Sequence, residues 1–318
     1  MLDILAVTLP IFLIIAIGYI AVYRNIVAQT VARGMGAFVI NFALPCLLVR
    51  TLIAHDINKV FDTNYLAAYG SGSLIVFALG YFFARLIAKK SQQNAALQGM
   101  GMSMSNSGFI GYPIVLQLLG PTAGIALALC FIIENLVITP LTLILGDSAE
   151  AEGTSRWQIL RKTFTRLARN PIIVAIVIGM SISISGITLP GPIFSVIDML
   201  ASASGPVALF VIGGGLVGLK LRGLRFDMAR IVFGKLVLHP LIIFLLLGLV
   251  PDLDPVMKIA AVGYACAPMF SVYPIYCQRY GHEAMGAASL MAATSLSFIT
   301  ISTALWLLDS TAVFGPLP

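Results

Sequence analysis

Asn106-Ser107-Gly108-Phe109-Ile110-Gly111-Tyr112-Pro113-Ile114 and, 161 positions later, Ala267-Pro268-Met269-Phe270-Ser271-Val272-Tyr273-Pro274-Ile275 put Gly, Pro and small polar residues inside stretches otherwise apolar enough to cross a bilayer. An unpaired backbone group at that depth costs several kcal/mol, so irregular chain survives there only when buried in protein or lining a watery cavity. The same offset pairs Pro10 with Pro171, Pro45 with Pro206, Gly18 with Gly179 and Gly120 with Gly281. Three of the five prolines in the first 157 residues meet a proline in this way, where the background rate for proline is roughly one in twenty. The chain reads as an internal duplication.

Composition sets the class. Hydrophobic residues make up 59% of the chain and charged residues 10%, against about 25% charged in a globular domain, which makes this an integral membrane protein. Apolar stretches of roughly 20 residues, the length of a spanning helix, run at about 4–22, 31–53, 65–88, 95–119, 121–145, 171–190, 196–219, 229–249, 256–279 and 283–308. The first lacks the basic leader and small-residue cleavage site of a signal peptide and follows Asp3, so it counts as a helix. The expected fold is all-α, with ten transmembrane helices in two five-helix repeats and the fourth and ninth broken and crossing at mid-membrane.

Charge gives the orientation. In the loops after the first, third, fifth, seventh and ninth spans stand Arg24, Arg33, Arg85, Lys89, Lys90, Arg156, Arg161, Lys162, Arg166, Arg169, Lys220, Arg222, Arg225, Arg230, Lys235 and Arg279, sixteen of the 19 basic residues. Arg50, Lys59 and Lys258 are assigned to the other side. The positive-inside rule then makes the odd loops cytoplasmic and both termini extracytoplasmic in the cell (inner) membrane. Because five is odd, the second repeat enters from the opposite side, giving an inverted repeat. The net charge of +6 is read as orientation and contact with membrane lipid, not nucleic-acid binding. Residues 1–145 form the first repeat, 146–170 a cytoplasmic linker and 171–318 the second repeat. Within the linker Trp157, Leu160, Phe164 and Leu167 face away from Arg161, Lys162, Arg166 and Arg169, the pattern of a basic helix resting on headgroups.

Several chemistries drop out. Cys46, Cys130, Cys266 and Cys277 fall singly in apolar spans and read as small packing residues, implying neither disulfide nor metal. His55, His239 and His282 are scattered and read as capping or surface residues. No phosphate-binding loop is present, and Gly213-Gly214-Gly215 lies in mid-span, where close helix packing explains it. No enzyme, cofactor or metal centre is called for.

The polar residues inside the spans remain. Proline disfavours helix just before it, so both broken spans should lose their hydrogen-bond ladder, and half-helices starting near Ser107 and Met269 would aim free amides and positive dipole ends inward. Matched breaks in an inverted repeat mark a transporter's binding site, and that field suits an anion. Asn41, four residues before Pro45, either lines the cavity or bonds a neighbouring helix. Glu134, beside Asn135, is the carboxylate well inside a first-repeat span. An ionisable group there is a functional hypothesis by default, either a protonatable coupling site or a brace. Asp198 is read as solvated, near the outer mouth of the seventh span.

Asn106-x-x-x-x-Gly111-x-Pro113, Arg169-Asn170-Pro171 and Ala267-Pro268-x5-Pro274 resemble the auxin efflux carrier family, which joins plant auxin exporters with bacterial permeases for malonate, malate and similar acids. The likeness covers nearly the whole chain. It implies helices four and nine crossing at the substrate site, scaffold and transport domains, elevator-like alternating access and, in many members, a homodimer. The long hydrophilic loop of the plant carriers is replaced by about 25 residues here, and Ala267 stands where a second Asn-like group would be expected. The reading is therefore a secondary transporter of small organic anions, mono- or dicarboxylates such as malonate or malate, with auxin-like acids at the margin. Asn106, Ser107 and Gly108 would bind the carboxylate opposite Ser271 and the amides after Pro268, including Met269. Pro113, Pro274 and Pro45 would shape the crossover, with Asn41 lining it and Glu134 and Asn135 as coupling or support. A sodium-coupled symporter or sodium/proton antiporter is the rival. A membrane receptor would call for a soluble domain, for which Met1 to Pro318 leaves no room beside ten spans.

Overall fold

Proline has no amide hydrogen, and its ring collides with the carbonyl four residues back. Four prolines of this chain are absorbed in one repeated way, while Pro10 and Pro206 stand inside continuous α-helix. Pro45, Pro113, Pro140 and Pro240 each stand second in a helical segment that follows a five-residue π-helical turn, Val39–Ala43, Ser107–Gly111, Glu134–Ile138 and Gly234–Leu238 respectively. Widening the helix by one residue makes room for the ring and lets the chain continue. Such turns concentrate at functional sites, and three of these carry Asn41, Glu134 and Lys235.

The computed structural model describes residues 2–54, 62–148, 161, 164–165, 168–218 and 225–315. Among them the protein is helical without a named strand. In chain order the helices are α1 (Leu2–Tyr23), α2 (Gln29–Ile53), α3 (Thr63–Ile87), α4 (Gln92–Ser103), α5 (Tyr112–Leu119), α6 (Thr122–Ser148), α7 (Pro171–Ser185), α8 (Gly191–Leu216), α9 (Phe226–Gly248), α10 (Pro255–Cys266), α11 (Tyr273–Arg279) and α12 (Glu283–Thr311). Starts are set by side-chain caps: Asp62 accepts from the amides of Asn64 and Tyr65, Ser91 from Asn94, Asn170 from Ile172 and Asp254 from Val256. Six of them, α2, α3, α6, α8, α9 and α12, are long and apolar enough to cross a membrane, while Thr8–Tyr23, α7 and α10 are shorter apolar helices. Most of the basic linker helix expected within 146–170 lies outside the described residues.

The interrupted helices sit where no lipid reaches. Asn94 to Ser103 of α4 and Met257 to Cys266 of α10 are buried on every face, enclosed by α3, α6 and α9. Leu13, Ile17 and Ile20 of α1, Val177 and Ile178 of α7 and Met199 of α8 face outward instead. A short, Gly-rich helix such as α4 is tolerated at depth because protein surrounds it.

α1 packs along α8 at backbone distance. A Cβ on Gly18 would collide with the Phe210 carbonyl, and one on Gly213 with the Ile15 carbonyl, the small-residue contact of membrane helices. Gly213→Val is therefore expected to abolish most of the monodisperse protein in size-exclusion chromatography, since overpacking of about 1–3 kcal/mol or more falls on rigid backbone. Gly215→Val, whose Cβ meets nothing within 4 Å, should leave the profile unchanged. Loss of both alike would reject the contact.

Candidate binding site at the paired helix breaks

The two breaks touch. Between α4 and the π-turn at Ser107 the chain runs irregularly through Met104, Ser105 and Asn106, and between α10 and α11 through residues 267–272. The Asn106 amide donates to the Pro268 carbonyl at 2.7 Å, and Asn106 Nδ2 donates to Ser271 Oγ at 2.9 Å. Asn106 O accepts from the amides of Ile110 (3.1 Å) and Gly111 (2.9 Å). One residue thus ties the first break to the second and starts the helix that follows.

Glu134 supports this junction from α6. Its Oε1 accepts from Ser107 Oγ at 2.6 Å and from the Ser105 amide at 3.2 Å, and its side chain is buried. Beside it lies a cavity of about 210 Å³ lined by Asn106, Ser107, Gly108, Glu134, Asn135, Asn170 and Ser271, with Phe131, Phe270 and Tyr276 among its apolar walls. Asn170 Nδ2 donates to Asn135 Oδ1 at 3.1 Å, and Asn135 Nδ2 to the Phe131 carbonyl at 3.0 Å. The space is lined by uncharged amide and hydroxyl groups around one carboxylate. Such a lining suits a small polar ligand. Larger grooves of about 650 and 450 Å³ have almost wholly apolar walls and lack this chemistry.

A second polar cluster lies behind the first break. Lys235 Nζ donates to Ser105 Oγ at 2.8 Å and to the Ala265 carbonyl at 2.9 Å, and stands 2.7 Å from His239 Nδ1. His239 Nε2 is 3.1 Å from Ser73 Oγ, and Tyr69 OH is 3.4 Å from Ser105 Oγ. Lys235 and His239 are both fully buried. This corrects two sequence expectations: Lys235 is not a loop charge, and His239 is not a surface or capping residue. One turn apart on α9, they point into the protein between α3 and α10. The signal was present, since both lie inside the apolar stretch 229–249, where ionisable groups are exceptional.

Other expected residues fall differently. Asn41 is exposed, stands apart from the cavity and donates to the Ala37 carbonyl of its own helix at 2.8 Å, which is neither cavity lining nor a bond to a neighbouring helix. Pro268 and Met269 are buried outside the cavity walls. Helix resumes after the second break at Tyr273, not near Met269, and Pro274 stands second in α11. There its missing N–H breaks no helical bond. Pro45 is half-buried after its π-turn. Pro113, with Tyr112, Arg50, Ser202, Ser204 and Pro206, lines another cavity of about 340 Å³ at the opposite end of the 106–113 segment. Arg50 pairs there with Asp198 at 2.6 Å, so Asp198 is engaged across α2 and α8 as well as half exposed. Gly213 and Gly214 serve helix packing, as expected.

The family described as membrane transport protein matches residues 3–307. Similar proteins include the "Putative malonate transporter" of Rhizobium meliloti (strain 1021), 28% identical over 319 residues and covering 98% of each chain. The "Uncharacterized transporter YfdV" of Escherichia coli (strain K12) is 26% identical over 313 residues, covering 96% of this chain and 97% of that one. The "Lysosomal cholesterol signaling protein" of Mus musculus is 27% identical over 280 residues, covering 83% of this chain and 32% of that one.

Proposed function

This chain belongs to the membrane transport protein family, and from that premise we propose that it is a secondary transporter of small organic anions, mono- or dicarboxylates of the malonate type, bound where the two helix breaks meet. The observation that carries the reading is Asn106, which spans both breaks and opens onto a cavity of about 210 Å³ lined by amide and hydroxyl donors. Donors of that kind satisfy a carboxylate without a fixed cation in direct contact. The malonate named for a 28% identical protein of matching length agrees in size and charge.

Ten spans in two inverted repeats form the architecture of this proposal, with both termini outside the inner membrane and 146–170 in the cytoplasm. Support comes from the elements themselves: moving α2, α3, α6 and the break after α4 by 161 positions brings each onto α8, α9, α12 and the break after α10 to within a few residues. Cavities at both ends of the 106–113 segment favour alternating access, in which an elevator-like shift of the broken helices exposes the site to one side and then the other. The proposed assembly is a homodimer.

Glu134 borders the cavity, and its charge would repel an anion there. A proton on Glu134 relieves that repulsion, which favours proton coupling over the sodium-coupled alternative. The first test is thermal: in detergent, malonate at about 100 times its Kd is expected to add about 2.7 kcal/mol to stability, a rise of a few degrees in Tm. A panel of organic acids that leaves Tm unmoved would reject the anion reading.

A further inference from the structure

We infer that the ammonium group of Lys235 is a resident counter-cation: it fills, from within the chain, a cation site that holds the two helix breaks together, and the protein therefore requires no sodium. Three acceptors from three elements surround Nζ. They are Ser105 Oγ in the first break (2.8 Å), the Ala265 carbonyl in the last turn of α10 (2.9 Å) and His239 Nδ1 on α9 itself (2.7 Å). Carbonyls in a helix's last turn lack intrahelical partners and carry its negative dipole end, so Ala265 O is a natural cation ligand. An ammonium has three N–H groups and no acceptor, which matches the three polar atoms within 2.9 Å of Nζ. With Nδ1 taking the bond from Lys235, the other ring nitrogen, Nε2, is left to meet Ser73 Oγ, 3.1 Å away.

The charge around this group is accounted for as well. Glu134 and Cys130 face Lys235 from α6, and Cys266 from α10. Tyr69 of α3 reaches it through Ser105, and His239 shares its helix. Among these the one carboxylate is Glu134, joined to Lys235 through a single residue: Ser105 N donates to Glu134 Oε1, and Ser105 Oγ accepts from Lys235. One positive and one negative group thus flank the first break. A sodium ion added beside them would find its oxygen ligands occupied and no second carboxylate, and an uncompensated buried charge is costly. Lys235 also bridges Ser105 to Ala265, so the same group couples the positions of the two broken helices.

The inference rests on the breaks being the working site, but its main test needs no substrate. Wild-type protein in detergent is expected to melt at the same temperature in sodium chloride and choline chloride at equal ionic strength. Lys235→Ala is expected to melt on the order of 10 °C lower, and ethylammonium chloride, whose head and short stem fit the vacated space, should restore part of that loss in the variant while leaving wild type unmoved. A rise in wild-type Tm specific to sodium would overturn the inference. So would an Ala variant that melts like wild type, or one that ethylammonium and choline affect equally. If Lys235→Ala yields no folded protein, the wild-type comparison still decides. Labelled malonate uptake into proteoliposomes should likewise be equal in sodium and choline. Absence of any uptake would count against the anion reading alone, while the melting experiments judge the cation site separately.

Discussion

Asn106→Ala is expected to lower the initial rate of labelled malonate uptake into proteoliposomes by at least roughly tenfold, with yield and chromatographic profile intact. The substitution removes one side-chain amide and little else. Its backbone amide still reaches the Pro268 carbonyl, and its carbonyl still starts the helix through Ile110 and Gly111, so the breaks stay joined. What disappears is the donor that meets Ser271 and faces the cavity. A hydrogen bond to a charged group contributes about 1.5–3 kcal/mol, which corresponds to roughly 10- to 150-fold in binding. Asn106→Gln, with the amide one carbon farther out, should also fail, since the short reach to Ser271 fixes its position. Undiminished uptake by Asn106→Ala would remove this residue from the site.

Glu134→Ala is expected to be the more damaging change to the fold. It leaves the Ser107 hydroxyl and the Ser105 amide without their acceptor and Lys235 without the carboxylate that balances it. Leaving a buried hydrogen-bonding group without its partner costs about 1–3 kcal/mol, and two such losses are enough to lower Tm markedly. Glu134→Gln keeps a carbonyl oxygen for the same two donors and should retain a folded protein. The double variant Glu134→Gln/Lys235→Met should lose less stability than the sum of its single changes, because each removes the other's unmatched charge. Such a coupling lies in the range of about 0.5–3 kcal/mol for interacting neighbours, and strict additivity would show the pair to be independent. Transport supplies a second readout. Wild-type uptake should rise as pH falls, since protonating Glu134 relieves its repulsion of the anion, and Glu134→Gln should lose that contribution. Unchanged pH dependence in Glu134→Gln would assign Glu134 to bracing.

Much of the site was legible because its cause is local. Pro113, Pro274 and the small residues before them announce a helix that cannot run on, and the match at 161 positions announces that there are two. Glu134 could be picked out because a carboxylate in an apolar span has few innocent explanations. Asn41 carries a similar signal, and the structure returns its side chain to its own helix at the π-turn before Pro45. Lys235 lies inside the apolar stretch 229–249, where depth in the span says more about a cation's place than its sign does. Arg50 lines a cavity with Pro113 and pairs with Asp198, contacts that its charge alone does not announce.

The sequence by itself determined that this is a membrane protein of apolar helices, because composition, span length and proline positions act within one segment and need no partner. It also located the two breaks and the family. Only the tertiary structure decided which polar groups meet: that Asn106 bonds Pro268 and Ser271, that Glu134 holds Ser105 and Ser107, and that Lys235 closes the gap between Ser105 and Ala265. Those contacts join residues separated by up to 165 positions. The physical reason is that a hydrogen bond depends on distances of about 3 Å and on direction, and these are fixed by how α4, α6, α9 and α10 pack, which no periodicity within a single helix encodes.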